Sequence, residues 1–131
     1  MKYLLDTHVL LWFLDDNKRL SPKAKAAIEN IDNQVFVSMA TWFEISIKLS
    51  IGKLTLPDSL ADTISISTSN SLTTIGISHE HLIHYQSLSL FDDHRDPFDR
   101  LIIATALTES YTVISADLKF SLYKDLIKLI W

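Results

Sequence analysis

The stretch YLLDTHVLLWFL, residues 3–14, decides the fold of this chain. It begins with a short apolar run that predicts a buried strand over residues 2–5, and this strand ends at Asp6. From Thr7 to Leu14 the residues are apolar nearly all the way round a helix, which is typical of a helix that packs on a sheet. A buried strand that leads directly into such a helix favours an α/β fold with a covered parallel sheet.

The same alternation of strand and helix patterns continues along the chain. Further apolar runs predict strands over residues 34–37, 72–77, 111–114 and 126–131. Helix starts are marked by capping serines or by proline, at Ser21, Ser38, Ser78 and Pro97. The Ser/Thr-rich stretch 65–71 has poor helix propensity and predicts a loop after a weak helix that starts at Ser59. The pattern predicts one domain over residues 1–131, an α/β/α sandwich around a parallel sheet of about five strands.

Composition excludes several classes of protein. The 131 residues are 47% hydrophobic, which is enough for a core, and they include no cysteine for a disulfide, a thiolate metal site or a nucleophile. Two glycines are too few for Rossmann or P-loop phosphate cradles. No apolar run is long enough for a membrane span or typical of a signal peptide, so we expect a cytoplasmic protein. The net charge of −4 excludes binding of nucleic acid through a basic surplus alone.

Four carboxylates stand where an α/β fold places its ligands. Asp6 ends the first predicted strand and Asp117 lies just beyond the fourth, while Glu44 and Asp99 are embedded in the apolar helical runs TWFEIS and PFDRLIIA. Ligands of open α/β sheets bind outside the carboxyl ends of the strands, and unpaired carboxylates are costly to bury in apolar runs. The joint pattern predicts a converging acidic site for Mg²⁺ or Mn²⁺, which prefer oxygen ligands.

Taken singly, each of these carboxylates also has a structural explanation. These explanations are a helix cap for Asp6, an ion pair of Glu44 with Lys48, an ion pair of Asp99 with Arg95 or Arg100, and a cap by Asp117 for a helix that starts at Leu118. The joint pattern is harder to explain in this way than any single position.

Three segments carry a resemblance to a known family. They are YLLDTHVLLWFL, SMATWFEISIKLSIGKL and HRDPFDRLIIATAL, followed by a strand, the tripeptide S-A-D and a terminal Ile-Trp. The chain thereby resembles the PIN-domain ribonucleases, specifically the VapC-type toxins of bacterial toxin–antitoxin pairs. The resemblance implies a PIN-like fold and a Mg²⁺-dependent endoribonuclease that cleaves RNA phosphodiester bonds with a metal-activated water. It also implies two protein partners, a cognate antitoxin and a second copy of the chain in a homodimer.

The resemblance assigns roles to individual residues. Asp6, Glu44, Asp99 and Asp117 match the four acidic residues of the family, and Ser115 matches a Ser or Thr that helps to order the metal site. Where relatives often carry a basic residue before the last acid, this chain has Ala116, so a phosphate contact from that position is in doubt.

Three neighbouring residues are expected to support the acidic site. His94 and Asp96 form the H-x-D-P pattern that precedes the Asp99 helix, where they would cap the helix or orient the ligands. Arg100 is a candidate phosphate contact, as is Lys48, unless each pairs with a neighbouring carboxylate. The helix over residues 10–14 is too apolar to be covered by the sheet alone, so we expect part of it to contact another chain.

Two further interpretations compete with the nuclease. A phospho-acceptor receiver domain has a similar length and alternation, but it needs adjacent acids after the first strand, where this chain has Asp6, Thr7 and His8. A non-catalytic PIN-like binding module remains an alternative. The segment SHEHLIHY at residues 78–85 does not make a zinc-protease motif because Ile83 replaces the second histidine, and a solvated helix face is expected there.

Overall fold

The computed structural model describes residues 1–131, in which parallel strands alternate with helices along the chain. The elements are β1 (Lys2–Leu5), α1 (Thr7–Leu14), α2 (Pro22–Glu29), β2 (Gln34–Ser38), α3 (Met39–Ser50), α4 (Leu60–Ser69), β3 (Leu72–Ile75), α5 (His79–Ser87), α6 (Pro97–Glu109), β4 (Thr112–Ile114), a 3₁₀ helix (Leu118–Tyr123) and β5 (Lys128–Ile130). None of the helices combines the length and the apolar character that crossing a membrane requires.

The five strands form one parallel sheet in the order β3-β2-β1-β4-β5. The first strand of the chain therefore lies at the centre, and β2 and β4 flank it. A receiver domain has the strand order 2-1-3-4-5. The receiver interpretation is therefore wrong.

Helices cover both faces of the sheet. Successive side chains of β1 point to opposite faces and therefore pack in two different core clusters. Tyr3 and Leu5 belong to the core cluster that also holds Ile45 of α3, whereas Leu4 belongs to the cluster that holds Ile102 of α6. Such a strand must be apolar on both faces. The predicted three-layer α/β/α architecture with a five-stranded parallel sheet is confirmed.

The Ser/Thr-rich stretch is the place where the secondary-structure prediction was wrong. Helix α4 runs through it to Ser69, although a loop was predicted from residue 65. The hydroxyl groups of Thr68 and Ser69 donate to the carbonyl oxygens four residues earlier, at 3.2 Å and 3.0 Å, so they do not compete with the helix. Ser67 is buried, and Ile64 packs on the core. Tertiary packing thus outweighs the poor propensity of the stretch.

The histidines of α5 lie against α6, and the predicted solvated face is wrong for two of them. His81 is 1% exposed, and its Nε2 lies 2.9 Å from Oε1 of Glu109. His84 is half-buried, and its Nδ1 lies 2.6 Å from the hydroxyl of Thr108. The apolar side chain of Ile83 is exposed instead. We call this group of polar pairs the α5–α6 contact.

Candidate metal centre

The carboxyl ends of the parallel strands meet at one edge of the sheet, and the predicted acidic residues lie along that edge. β1 ends one residue before Asp6, whose backbone N–H donates to the carbonyl oxygen of Ile114 at the end of β4. β2 leads without a loop into α3, which puts Glu44 in the second turn of that helix. α6 begins at Pro97 and carries Asp99 in its first turn. We call this region the acidic edge.

Ser115 links the first and the fourth acid of the acidic edge. Its hydroxyl donates to Oδ2 of Asp6 over 2.9 Å, and its own Oγ accepts the backbone N–H of Asp117 over 3.0 Å. Asp6 occupies the N-cap position of α1, as predicted, but its side chain accepts no capping hydrogen bond from that helix. The predicted cap by Asp117 is confirmed, because Oδ1 accepts the backbone N–H of Lys119 at 2.9 Å.

Glu44 is buried, and both of its carboxylate oxygens are held. Oε1 accepts the hydroxyl proton of Thr7 at 2.8 Å, and Oε2 accepts from Nζ of Lys48 at 2.9 Å. The predicted ion pair with Lys48 is thus confirmed. Thr7 was missed by the sequence analysis, although a hydroxyl directly after Asp6 in an apolar run is a signal. It joins the start of α1 to α3, and Thr41 lies 3.1 Å from its oxygen.

Asp96 caps the helix that carries Asp99. Its Oδ1 accepts the backbone N–H groups of Phe98 and Asp99 at 2.9 Å and 3.0 Å, so the predicted cap is confirmed. The side chain of Asp99 is 20% exposed, and its Oδ2 lies 3.3 Å from Nε2 of His94, which is buried. Burial lowers the pKa of His94, which keeps its imidazole neutral at pH 7.

The two arginines near Asp99 do not pair with it. Arg95 forms its ion pair with Asp92 at 3.0 Å. Arg100 is 3% exposed, and its guanidinium donates to the hydroxyl of Tyr123 and to the carbonyl oxygen of Ser89. The predicted ion pairs of Asp99 are therefore wrong. The phosphate contact by Arg100 stays a prediction, and the burial of its guanidinium disfavours it.

The acidic edge carries more negative charge than its surroundings neutralise. Burial raises the pKa of Asp99 to about 8, and the charges of Asp6, Asp96, Glu44 and Asp117 add to this effect in that order. Burial also raises the pKa of Asp6, and the charge of Asp117 adds to it, although the hydrogen bond from Ser115 opposes the change. The charges of the other three proposed ligands, Asp6, Glu44 and Asp117, therefore all act on Asp99. A bound cation would stabilise such a group of like charges.

The donor set fits a hard divalent cation. It consists of carboxylate oxygens, and Oδ1 of Asp99 and Oδ2 of Asp117 accept no hydrogen bond from the protein. No three His, Cys, Asp or Glu side chains together have the geometry of a coordination shell. Mg²⁺ does not need a shell made by protein alone, because it keeps several waters and binds through one or two carboxylates. The residues present therefore fit Mg²⁺, or Mn²⁺, better than they fit zinc.

Comparison with known proteins agrees with this geometry. The sequence profile of the PIN domain family matches residues 3–126. Ribonuclease VapC22 of Mycobacterium tuberculosis is 32% identical over 124 residues, which cover 87% of this chain and 85% of that protein. Among solved structures, DNA-bound VapBC from Salmonella typhimurium has a TM-score of 0.71 at 16% identity, covering 99% of this chain and 97% of that one.

A toxin–antitoxin complex from Klebsiella pneumoniae has a TM-score of 0.67 at 21% identity, and the match covers 98% of this chain and 96% of that one. These two structures share the fold, and the sequence match to the PIN profile extends over nearly the whole chain. The acidic edge lies within the matched residues. The chain therefore belongs to the PIN domain family and, within it, to the VapC branch.

Proposed function

We propose that this protein is a Mg²⁺-dependent endoribonuclease, able to use Mn²⁺ as well, and that it acts as the toxin of a toxin–antitoxin pair. Asp6, Glu44, Asp99 and Asp117 are the proposed ligands and catalytic residues. The observation that carries the proposal is the placement of four carboxylates along one edge of the sheet, close enough for the charges of Asp6, Glu44 and Asp117 to raise the pKa of Asp99. Its nature as a nuclease is supported by similarity to a protein named a ribonuclease.

The residues of the acidic edge each contribute to this chemistry. When bound, Mg²⁺ polarises a phosphodiester and lowers the pKa of a coordinated water. Asp99 would give up its proton to become a ligand, and the hydroxyl of Ser115 holds the Asp6 carboxylate in place. The hydroxyl of Thr7 holds one oxygen of Glu44. A cation at this edge also reduces the repulsion between an acidic protein and the RNA backbone.

The proposal is tested by incubating labelled single-stranded RNA with the purified protein. We expect internal cleavage with Mg²⁺ or Mn²⁺ and none with excess chelator. Asp6→Asn should remove the activity, while Asp125→Asn, an exposed acid away from the acidic edge, should retain it. A non-catalytic PIN-like module would cut no RNA under any condition, and cleavage that persists in chelator would contradict the metal mechanism.

The antitoxin partner has a candidate docking groove on α1. The groove has a volume of about 330 Å³ and lies between α1 and residues 54–66. Its walls include Leu11, Trp12, Leu56 and Ile66, and none of the four proposed ligands lines it. Residues 11–14 are only half-buried, in line with the expectation that part of α1 contacts another chain. We infer that an apolar antitoxin segment occupies the groove, since related solved structures are toxin–antitoxin complexes.

The antitoxin proposal can be tested with a small protein encoded by a gene adjacent to that of this chain. Added in excess, that protein should bind the chain and suppress RNA cleavage. Trp12→Ser should weaken the inhibition while it preserves cleavage, because Trp12 lines the groove but not the acidic edge. Full inhibition of the variant at the wild-type concentration would contradict docking in this groove.

An exposed apolar patch supports the proposed homodimer. Met39 and Phe43 of α3 are 47% and 59% exposed, and the ring of Phe43 meets that of Phe98 edge-on with centroids 5.8 Å apart. Large exposed apolar side chains that lie together are typical of protein contacts. Sedimentation of the wild type should give a dimer, and Phe43→Ser should give a monomer. A monomeric wild type at high concentration would contradict the proposal.

A further inference from the structure

His94 lies between Asp99 and the 3₁₀ helix, and it is 2% exposed. Its Nε2 is 3.3 Å from Oδ2 of Asp99, and its Nδ1 is 2.9 Å from the hydroxyl oxygen of Tyr123. The same hydroxyl oxygen accepts Nη1–H of Arg100 at 3.0 Å. The four side chains thus form a continuous chain of hydrogen bonds that ends on a carboxylate of the acidic edge.

The direction of each hydrogen bond follows from the donors available. Arg100 can only donate, so the oxygen of Tyr123 accepts from it. The single proton of Tyr123 can then be donated to Nδ1 of His94, which accepts it in this arrangement. A neutral imidazole that accepts at Nδ1 carries its proton on Nε2. When Asp99 is ionised, as a metal ligand must be, His94 therefore donates to it, and one oxygen of that carboxylate is held from inside the protein.

Arg100, at the far end of this series of hydrogen bonds, is held by several further contacts. Arg100 also donates to the carbonyl oxygens of Ser89 at 2.9 Å and Leu88 at 3.4 Å, and its guanidinium lies over the ring of Tyr85, 5.3 Å from the centroid. No buried side-chain polar atom is left without a partner.

We propose that His94 is a positioning residue for Asp99, and that Tyr123 and Arg100 set its tautomer. By holding Oδ2, His94 leaves Oδ1 of Asp99 as the oxygen that binds the divalent cation. The proposal rests on the proposed function of Asp99 as a metal ligand. Hydrogen bonds from outside the coordination shell orient ligands, and their loss commonly lowers metal affinity by roughly 10–100-fold. A purely structural His94 would instead only tie residues 88–94 to the 3₁₀ helix.

The tautomer can be measured without metal or substrate at a pH of about 9 or above, where Asp99, whose pKa is about 8, is ionised. The ¹⁵N chemical shifts of the His94 ring should show a proton on Nε2 and none on Nδ1. A proton on Nδ1 would overturn the proposal, because His94 could not then donate to Asp99. This measurement is independent of whether the protein cleaves RNA.

The role of the donor is tested by titrating the protein with Mg²⁺ and Mn²⁺ in a calorimeter. His94→Leu removes the donor and should weaken binding by roughly 10–100-fold, whereas His94→Gln places an amide N–H near the position of Nε2 and should recover most of the affinity. Tyr123→Phe keeps the ring but removes the hydroxyl, and we expect it to weaken binding about tenfold. It provides the test if His94→Leu does not fold.

Tyr111→Phe is the matched control. Tyr111 is also buried, but it precedes β4 at the opposite edge of the sheet, and its hydroxyl makes no hydrogen bond within the protein. Its metal affinity should equal that of the wild type. If Tyr123→Phe binds the cations as tightly as the wild type, the positioning role of His94 is overturned, but the proposed function is not. A wild type that binds neither cation would instead overturn the proposed function, and the positioning role with it.

Discussion

The acidic edge and the α5–α6 contact both bring titratable side chains together, but they differ in what surrounds each group. In the α5–α6 contact, His81 faces Glu109 and also accepts the backbone N–H of Ser78, and His84 faces Thr108. Each polar group there has a complementary partner. At the acidic edge, the strongest charges around Asp99 are those of other carboxylates, and they raise its pKa. Complementary clusters stabilise a fold, whereas clusters of like charge cost stability and indicate a functional site.

The largest expected effect separates the two regions by activity. Asp99→Asn keeps the shape of the side chain but removes a ligand oxygen and a charge, so RNA cleavage should fall by at least about a hundredfold. Mg²⁺ should raise the melting temperature of the wild type much more than that of the variant, because only a bound ion stabilises the folded state. Glu109→Gln, the matched change in the α5–α6 contact, should keep both the RNA cleavage of the wild type and its rise in melting temperature with Mg²⁺. If Asp99→Asn and Glu109→Gln lost RNA cleavage equally, the two regions could not be told apart by function.

The next effect concerns stability at the α5–α6 contact. His81→Leu leaves the N–H of Ser78 and the carboxylate of Glu109 without their partner, and it should lower the free energy of unfolding by about 2 kcal/mol. The stabilisation by Mg²⁺ should be unchanged. Denaturant unfolding measures both quantities, with His79→Gln as the control because His79 is exposed on the same helix. A lower Mg²⁺ affinity in His81→Leu would show that the two regions are coupled.

The pH dependence of stability tests the charge at the acidic edge directly. The pKa of Asp99 in the folded state, about 8, lies above its ordinary value of 3.8. Between about pH 4 and 8 the folded protein therefore keeps a proton that the unfolded chain has already released. The contribution of Asp99 to stability is fully present below about pH 4 and is lost as the pH rises through about 8.

In chelator, the free energy of unfolding of the wild type should therefore fall relative to that of Asp99→Asn as the pH rises through this window. At pH 7 the variant should be more stable by about 1 kcal/mol or more. Melting curves at several pH values measure the difference. If Asp99→Asn melts well below the wild type in chelator at pH 7, Asp99 has a structural role and the acidic edge resembles the α5–α6 contact.

The smallest effect concerns the ion pair that partly neutralises the acidic edge. Lys48 is half-exposed and pairs with Glu44 one helical turn away. Lys48→Met should lower the free energy of unfolding by only about 0.5 kcal/mol, as is usual for helical pairs of this spacing. Lys25→Met is the control, because Lys25 is about as exposed as Lys48 but its partner Asp16 is exposed rather than buried. A loss above about 2 kcal/mol would mean that Glu44 depends on Lys48 as a buried charge does.

The order of strands and helices along the chain and the positions of the acids in these elements were predictable from the sequence. Apolar runs and capping residues are local signals, and they located β1, α1 and the start of α6 correctly. Parallel strands necessarily bring their carboxyl ends to one edge, so residues that follow strands can be grouped without knowledge of their contacts. Asp6 and Asp117 were found in this way.

The sequence by itself determined which residues follow each strand, whereas only the tertiary structure decided which groups those residues face. Arg100 follows Asp99 directly, yet it forms no ion pair with it and meets Tyr123, which lies 23 positions later. Ser67 and His81 are buried although their residue types favour the surface. The physical reason is that patterning and caps act within a few residues, while the packing of α5, α6 and the 3₁₀ helix sets the partner of a buried polar group, and such a group must find one.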